Sequence, residues 1–546
     1  MKKLFLSLKK IIYLFKLYIN YRIFLDNNTK KYINHNKKIW KNFKVKKNEQ
    51  NKKNIILVDL FYKNSLIHFW SYITNVLAKK TDSQIKYFYI ELYKSKASKF
   101  EITQRILKKI YNSFNASEGI SEHRFLYSNS ELSQYEKKFH KINNKKKNLI
   151  NFSIDNVKLG DLICDSYLRA TMKPTVDMRD PYLKKIFFKS LKFYFVSKEY
   201  FNKNNIIALI PSHVCFYYGI IARIAAKNNI PIIKVNSDKR GNKNFRINIV
   251  DQKYVNEEPP PYFYFKKIFK KFSVSHKKKA LSIGKKILKN RLGGNYDSTL
   301  PYMKISQFNK NLKKTKLINK NTKKKIFIFP HCYFDNVHRY RYILFNDFAD
   351  QINFLLKLSK KYPNYEWYYK PHTHDLGSDK LIHDKMLKDY PNIIRLDAKV
   401  SHNQIIESNP YCIITNHGSV GHEYAAFKIP VIFTGDNKHI NYKFGLHAKS
   451  KREIEVAIMN DKLFKKKITY NKNDLYEFMY LNFIYFQNLY ERKKLIKDNY
   501  FSPDDLSIAD KSECFEFIMK RSKISHHKII SYVKNIINSE DIKSYN

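Results

Sequence analysis

The second half of this chain repeats one pattern: a short run of apolar residues ends, and a polar segment rich in His, Lys, Ser or Gly follows. Short β-branched and aromatic runs separated by segments with helical spacing indicate parallel strands joined by helices. The predicted strands lie at 324–329, 365–369, 392–396, 411–415 and 430–434, with a helix at 341–361. This alternation predicts an α/β fold.

The first half carries the same alternation less regularly. Its predicted strands lie at 54–61, 85–90, 206–214 and 230–236, and its predicted helices at 65–80, 100–147 and 215–229. Residues 246–322 show no convincing strand. We therefore predict two Rossmann-like α/β domains that face each other across a cleft, with N-terminal and C-terminal helical extensions.

The same pattern divides the chain into five segments. These are a basic amphipathic segment and Asn/Lys-rich linker (1–52), an N-terminal Rossmann-like domain (53–245), an interdomain helical region (246–322), a C-terminal Rossmann-like domain (323–465) and C-terminal helices (466–546).

Composition narrows the classes of partner and cofactor. The chain of 546 residues has 104 Lys and Arg against 47 Asp and Glu, which gives a net charge of +57. Such a charge attracts nucleic acid, anionic lipid or phosphorylated substrates, but lysines spread along the whole chain are also typical of solvated surfaces. No local basic patch carries aromatic stacking platforms, so no nucleic-acid partner is expected. No CxxC pair or H-E-x-x-H motif is present, and neither a metal nor a cofactor is predicted.

Residues 1–25 alternate apolar side chains at helical spacing with lysines. One interpretation is a helix that lies on an anionic membrane, which would make the protein peripheral at the inner face of the cytoplasmic membrane. The other is an ordinary amphipathic helix packed on the body of a cytoplasmic protein.

Chemistry is expected where the predicted strands of the second half end, because ligands of open parallel sheets bind outside the carboxyl ends of the strands. The side chains predicted to bind the substrate there are His331, Lys370, His372, Asn416, His417, Gly418, Ser419 and Glu423. Together they predict a site for a nucleotide phosphate.

The segment 416–423 has the most specific pattern of these. Glycine allows a phosphate to approach the backbone at the start of a helix, and Ser419 could cap that helix or bond to a phosphate oxygen. Glu423 could hold ribose hydroxyls. The alternative is structural: Gly418 and Gly421 serve a tight turn and close packing. His374, His422 and His439 are interpreted as surface residues.

The first half supplies two candidates for catalysis. Asp165 lies in an acidic segment, 160–180, and His213 directly follows a predicted strand. Either could act as general base on an acceptor hydroxyl, and we predict that Asp165 takes up the proton of that hydroxyl. The alternative for this group is a loop held by Asp–Arg pairs.

At these residues the chain resembles a known family. The segments "FPH…D" (329–335), "YKPHTH" (369–374) and "TNHGSVGHEYAAFKIPVIFTG" (415–435), with "GDLICDSYLR" (160–169) and 212–233, resemble bacterial capsule and surface-polysaccharide biosynthesis proteins, including the capsule Kdo transferases. The resemblance implies a metal-independent GT-B glycosyltransferase in which 53–245 is the acceptor domain and 323–465 the nucleotide-sugar-binding domain. It also implies that Lys370, His372 and Ser419 contact the phosphate of the donor. Thr373 departs from the KPHP form of many relatives, so the donor nucleotide, CMP or another, is left open.

The predicted function is transfer of a sugar from a nucleotide-sugar donor to a surface polysaccharide or lipid-linked acceptor. Two alternatives are a nucleotide-sugar 2-epimerase-like enzyme, which needs no acceptor, and a non-catalytic basic protein that binds nucleic acid.

Overall fold

The computed structural model describes most of the chain. The described residues are 25–43, 54–61, 64–89, 97–121, 129–142, 145–237, 245–250, 255, 262–294, 306–309, 311–339, 342–372, 378–485 and 512–537. The chain divides into two compact units. Unit 1 comprises Met1–Glu136, Phe187–Val255 and Tyr490–Asn546, and unit 2 comprises Lys137–Ile186 and Asn256–Leu489.

Fourteen strands are found in the described residues. In chain order they are β1 (Asn54–Asp59), β2 (Ser83–Tyr89), β3 (Ala116–Ser121), β4 (Ser153–Ile154), β5 (Val157–Lys158), β6 (Asn205–Ile210), β7 (Ile233–Ser237), β8 (Phe245–Ile249), β9 (Lys325–Phe329), β10 (Glu366–Tyr369), β11 (Ile393–Arg395), β12 (Cys412–Thr415), β13 (Val431–Phe433) and β14 (Leu446–His447).

The α-helices connect and cover these strands. They are α1 (Asn27–Ile39), α2 (Asn64–Thr81), α3 (Ala97–Ser113), α4 (Asn129–Ile142), α5 (Lys146–Ile150), α6 (Gly160–Thr171), α7 (Pro181–Lys203), α8 (Gly219–Lys227), α9 (Phe265–Lys270), α10 (Val274–Leu292), α11 (Phe348–Lys361), α12 (Ser378–Leu387), α13 (His402–Glu407), α14 (Val420–Ala425), α15 (Lys451–Met459), α16 (Asp461–Lys466), α17 (Lys472–Tyr480) and α18 (Glu513–Ile537).

Unit 1 is built on a parallel sheet with the order β3-β2-β1-β6. A parallel bridge between Leu209 and Ile232 continues the order toward β7, which pairs with β8 as an antiparallel ribbon. The strands therefore follow the order 3-2-1-4-5 of a Rossmann-like half. Helix α2 packs its apolar face, with Phe69, Trp70 and Ile73, into the core beside the sheet.

Unit 2 is built on six parallel strands in the order β11-β10-β9-β12-β13-β14. This is the Rossmann order 3-2-1-4-5-6. All five residues of β9 are buried, as expected for a central strand that is covered on both faces. The predicted α/β class with two Rossmann-like domains is thus confirmed by the topology of each sheet.

Helix α11 shows how local sequence produces these elements. Its N-cap is Asp347, whose side chain accepts a hydrogen bond from the backbone N–H of Asp350. Phe348, Ile352 and Leu355 recur at helical spacing, and all three are buried. The helix begins at Phe348 and not near 341 as predicted, because the cap at Asp347 sets its start.

Residues 137–186 belong to unit 2, although the sequence pattern groups them with the N-terminal domain, 53–245. Polar contacts of long sequence separation connect them to the rest of unit 2. The Asp165 carboxylate bonds to His338, and Lys146 forms ion pairs with Asp347 and Asp350. Local periodicity carries no information on such contacts.

Three segments differ from the predicted secondary structure. Ala116–Ser121 forms β3 inside the segment predicted to be wholly helical, and Phe245–Ile249 forms β8 where no strand was predicted. Asn27–Ile39 forms α1 although its Asn and Lys content suggested a linker. Burial of Tyr32 and Ile33 against the unit 1 core outweighs the weak local helix preference.

No helix in the described part of the chain is long and apolar enough to cross a membrane. The amphipathic segment predicted at residues 1–25 lies outside the described residues except for Leu25.

Candidate functional site

The strand order of unit 2 reverses between β9 and β12, which are adjacent in the sheet. Loops that leave the carboxyl ends of two such strands diverge to opposite sides, and the crevice between them is the usual ligand site of this fold. His331 follows β9, and Asn416 and His417 follow β12. These three predicted site residues of unit 2 therefore lie at the topological switch point.

Three predicted histidines lie close together at this point. The ring centroids of His331 and His417 are 4.0 Å apart, and those of His331 and His372 are 6.3 Å apart. Phe348 lies beside both rings, with centroids 5.3 Å from His331 and 5.6 Å from His417. His372 is exposed and His331 half-buried, so this group of rings reaches from the interior to the surface.

A hydrogen-bond network fixes the loop after β12. His417 Nδ1 lies 2.7 Å from Oδ1 of Asn416, whose amide nitrogen donates to the hydroxyl of Thr434. The amide of Asn437 donates to the backbone carbonyl of Asn416 over 2.8 Å. Asn416 is buried and serves to hold the loops after β12 and β13 in register, which preorganises the residues beside it.

Lys370, the residue that follows β10, is buried, with 2% of its surface exposed. Its ammonium group donates to the carbonyl of Ala398 over 2.9 Å. Burial lowers the pKa of Lys370 to about 8, and the charges of Glu423 and Asp397 oppose that decrease. A further negative charge beside Lys370 would stabilise its protonated form.

Glu423 is a buried carboxylate among basic groups. Its two oxygens lie 3.8 Å from Arg291 and 3.8 Å from Nδ1 of His402. Burial lowers the pKa of His402, as do the charges of Lys370 and His372. Glu423 was predicted to hold ribose hydroxyls, and that role stays a prediction; the structure places its carboxylate beside the Arg291 guanidinium.

His422 and His439, interpreted from the sequence as surface residues, are both fully buried. Arg291 lies 2.5 Å from Nε2 of His422, and Nδ1 of His422 lies 3.0 Å from Nε2 of His439. Since Arg can only donate, Nε2 of His422 accepts and its Nδ1–H donates to His439. The surface interpretation is wrong because Arg291 comes from α10, far along the chain. His374 lies outside the described residues.

Further positive charge comes from Lys438 and Arg339, which were not predicted. Burial lowers the pKa of Lys438 to about 7, and the charges of Arg291 and Arg339 lower it further, against the opposing effect of Glu423. Burial also lowers the pKa of His417, with contributions from Arg339 and Lys438. Arg291, Arg339, Lys370 and Lys438 thus form a set, here called the basic cluster.

The turn after β12 contains two glycines, Gly418 and Gly421, and packing explains why a glycine is needed at one of them. A Cβ on Gly421 would lie 2.5 Å from the Phe433 ring and 2.9 Å from that of His439, so Gly421 is required for close packing of α14 on the sheet. At Gly418 the nearest atom would be the Thr415 hydroxyl at 3.0 Å. Ser419 is the N-cap residue of α14, but its side chain makes no capping hydrogen bond.

Asp165, the first predicted catalytic residue, lies in α6 of unit 2 and is 2% exposed. Its Oδ1 lies 2.6 Å from Nδ1 of His338, and its Oδ2 accepts from the His338 backbone N–H over 3.1 Å. The other ring nitrogen of His338 donates to the carbonyl of Asn346. Burial opposes charge on His338, but Asp165 outweighs it and raises the pKa of the imidazole.

His213, the second predicted catalytic residue, belongs to unit 1 and follows β6. Its Nδ1 lies 3.1 Å from the Ser212 hydroxyl, which bonds to the carboxylate of Asp59. The two predicted catalytic residues therefore fall in different units, each with its own partners.

The sequence contained partial signals for some of the residues that were missed. Lys438 lies a few positions after β13, in the loop that the strand rule singles out, and Arg339 lies in the long loop after β9. Arg291 had no such signal because it ends a helix outside the sheet. Among the described residues, no group of three or more His, Cys, Asp or Glu side chains is arranged to hold a metal ion.

Comparisons with known proteins give distant similarities of fold. No protein-family model matches the chain, and no curated protein matches it. The beta Kdo 2,4 transferase KpsC of Thermosulfurimonas dismutans is 11% identical over 50% of this chain and 79% of its own, with a TM-score of 0.32. MnaA of S. aureus, solved with UDP, is 11% identical over 81% of this chain and 97% of its own, with a TM-score of 0.29. A variant of the wall teichoic acid polymerase TagF is 13% identical over 94% of this chain and 100% of its own, with a TM-score of 0.21.

Proposed function

We propose that this protein is a glycosyltransferase that moves a sugar from a nucleotide-sugar donor to a surface or capsular polysaccharide or a lipid-linked acceptor. The observation that carries the proposal is the basic cluster at the switch point of unit 2. Three of its four residues interact with one buried carboxylate. Arg291 lies 3.8 Å from Glu423, and the negative charge of Glu423 opposes the decrease in the pKa of Lys370 and of Lys438.

The charges of this site favour a phosphate ligand. Burial lowers the pKa of Lys370 to about 8. Burial, with the charges of Arg291 and Arg339, lowers the pKa of the half-buried Lys438 to about 7. A phosphate placed among them restores the missing charge and strengthens the hydrogen bonds that each ammonium can donate. Fixed cations also stabilise the negative charge that grows on the leaving phosphate as the bond to the sugar breaks.

The reason for proposing a nucleotide sugar as donor is the resemblance of two sequence motifs to those of known glycosyltransferases. "KPH" at Lys370–His372 and "HGS…E" at His417–Glu423 resemble the donor-binding motifs of capsule glycosyltransferases. In this interpretation Lys370, His372 and Ser419 contact the donor phosphate, and the reaction needs no metal. A basic amphipathic N-terminal segment, residues 1–25, would bring the enzyme to the anionic inner face of the cytoplasmic membrane.

A panel of donors tests the proposal with the purified full chain. CMP-, UDP-, GDP- and CDP-linked sugars are added in turn, and the melting temperature is measured. A donor that binds the folded state raises it. The expected result is stabilisation by one nucleotide class, and loss of that stabilisation in the Lys370→Ala, Ser419→Ala double variant.

Product analysis then separates the reaction types. Transfer requires an acceptor glycan and releases the nucleotide, whereas an epimerase would convert the nucleotide sugar alone and keep it intact. No stabilisation by any donor, together with salt-sensitive binding of oligonucleotides, would overturn the proposal in favour of a nucleic-acid-binding protein.

A further inference from the structure

A cavity of about 560 Å³ opens on the surface of unit 2. The seven consecutive residues 173–179, which connect α6 to α7, form most of its wall, and Lys385 of α12 completes the lining. Its volume lies within the range of roughly 300–1,000 Å³ that sites for small molecules occupy. The proposed donor chemistry gives this cavity no role.

Hydrogen bonds within the wall of the cavity fix its conformation. The Lys173 ammonium donates to Oδ2 of Asp177 over 3.2 Å and to Oδ2 of Asp180 over 2.8 Å. Oδ1 of Asp177 accepts from the backbone N–H of Arg179 over 3.1 Å, and Oδ1 of Asp180 accepts from that of Tyr182 over 2.9 Å. All four carboxylate oxygens of the segment are therefore used inside it.

This pairing leaves two cations on the cavity uncompensated. The side chains of Arg179 and Lys385 are exposed, and neither forms an ion pair within the part of the chain that the structure describes. Asp384, the neighbour of Lys385 in α12, pairs with Arg395 instead. With the ion pairs above, three cations and two carboxylates line or border the cavity, which leaves it positively charged and favours an anionic ligand.

The cavity wall is joined to the candidate site within unit 2. The hydroxyl of Thr175 donates to Oδ2 of Asp347 over 2.5 Å, and Asp347 is the N-cap of α11. The next residue, Phe348, lies beside the rings of His331 and His417 at the switch point. A ligand in the cavity would therefore lie on a wall that is fixed, through a single hydrogen bond and one peptide unit, to the residues of the candidate site.

We propose that this cavity binds an anionic group, a carboxylate or a phosphate, of the acceptor saccharide through Arg179 and Lys385; this inference rests on the proposed glycosyl transfer. The planar guanidinium of Arg179 can hold either group by two parallel N–H bonds, and the Lys385 ammonium adds a further donor. Pro174, Val176 and Met178 supply apolar lining for the carbon face of a sugar ring. A neutral saccharide would leave both cations without a partner.

Ligand-observed NMR titration of the purified full chain tests the proposal with three probes: glucuronate, glucose 6-phosphate and glucose. We expect one of the two anions to bind more tightly than glucose. The double variant Arg179→Gln, Lys385→Gln should weaken binding of that anion roughly tenfold, because both charge-assisted contacts are lost. The matched control is Lys462→Gln, Lys466→Gln, which removes two exposed charges of α16 in the same unit and should leave the affinity unchanged.

The outcomes separate the ligand classes and the two proposals. Tighter binding of glucuronate identifies a carboxylate as the group bound, and tighter binding of glucose 6-phosphate identifies a phosphate. Equal binding of glucose, an equal loss in the control variant, or a loss in Lys438→Ala in place of the Arg179 and Lys385 variant would overturn the inference. Failure of every nucleotide-sugar donor to raise the melting temperature of the wild type would instead overturn the proposed function.

Discussion

The rings of His331 and His417 lie 4.0 Å apart between centroids, although 86 positions separate them along the chain (417 − 331 = 86). One ring follows β9 and the other follows β12, and these neighbouring strands flank the point at which the strand order reverses. Each residue alone is a histidine in a loop. Their proximity shows that the loop after β9 and the loop after β12 lie side by side.

The first prediction concerns the basic cluster. Lys438→Ala should weaken binding of the nucleotide donor roughly 10- to 100-fold, since a charge-assisted hydrogen bond contributes about 1.5–3 kcal/mol. Lys462 in α16 is exposed and supplies the matched control, because Lys462→Ala removes the same charge away from the switch point. Isothermal titration of both variants gives the comparison. Equal losses in the two would mean that only the overall charge of the protein matters.

The second prediction concerns the pH dependence of donor binding. In the free protein the pKa values of Lys438 and Lys370 are lowered to about 7 and about 8, mainly by burial. A bound phosphate raises both, so binding takes up protons. Affinity is therefore highest below pH 7 and falls as the pH rises through 8, by roughly tenfold per pH unit for each lysine that titrates.

Titration in buffers of different ionisation enthalpy measures this proton uptake directly. An affinity that stays constant from pH 6 to pH 9 would show that neither lysine faces the phosphate. The Lys438→Ala variant should retain only the part of the pH dependence that Lys370 causes.

The sequence predicted those parts of the fold and site that local patterns encode. The apolar run at 324–329 became β9 (Lys325–Phe329) within one residue, and the rule that ligands bind at strand ends selected His331 and His417. It also selected Lys370, because this residue immediately follows β10. Hydrophobic periodicity locates the strands, and the end of each strand then locates residues of this kind.

Contacts of long sequence separation were not predictable in the same way. His422 lies on a polar-looking helical segment, but its partner Arg291 comes from 131 positions earlier, and this pairing is what makes burial of the imidazole tolerable. Asp165 was selected as a reactive carboxylate, and its partner His338 is 173 positions away. Pairing of this kind depends on tertiary structure, which a single sequence does not display.

The third prediction concerns the glycine pair that the sequence concentrates after β12. Gly421→Ala should reduce the free energy of unfolding by about 1–3 kcal/mol, because the added methyl group would overlap the Phe433 ring, 2.5 Å away. Gly418→Ala should be better tolerated, since its closest neighbours are the Thr415 hydroxyl at 3.0 Å and a Val420 methyl group at 3.2 Å. Denaturant unfolding of both variants measures the difference, and an equal effect would contradict the packing role assigned to Gly421.

The last prediction concerns the pair of Asp165 and His338 in unit 2. Removing one partner of a buried pair leaves the other without compensation, so Asp165→Ala should reduce the free energy of unfolding by about 3 kcal/mol. Asp177 is the matched control: its ion pair with Lys173 is half-exposed, and Asp177→Ala should change the free energy by less than about 1 kcal/mol.

The pH dependence of that loss has a definite sign. Burial opposes charge on His338, yet Asp165 raises the pKa of its imidazole. The contribution of the pair is therefore present below pH 6.5, down to the pH at which the Asp165 carboxyl, whose pKa burial raises, takes up a proton. It decreases as the pH rises through the folded-state pKa of His338. The difference in free energy of unfolding between wild type and Asp165→Ala should therefore become smaller in alkaline solution. A difference that became larger there would show that Asp165 does not stabilise the protonated form of His338.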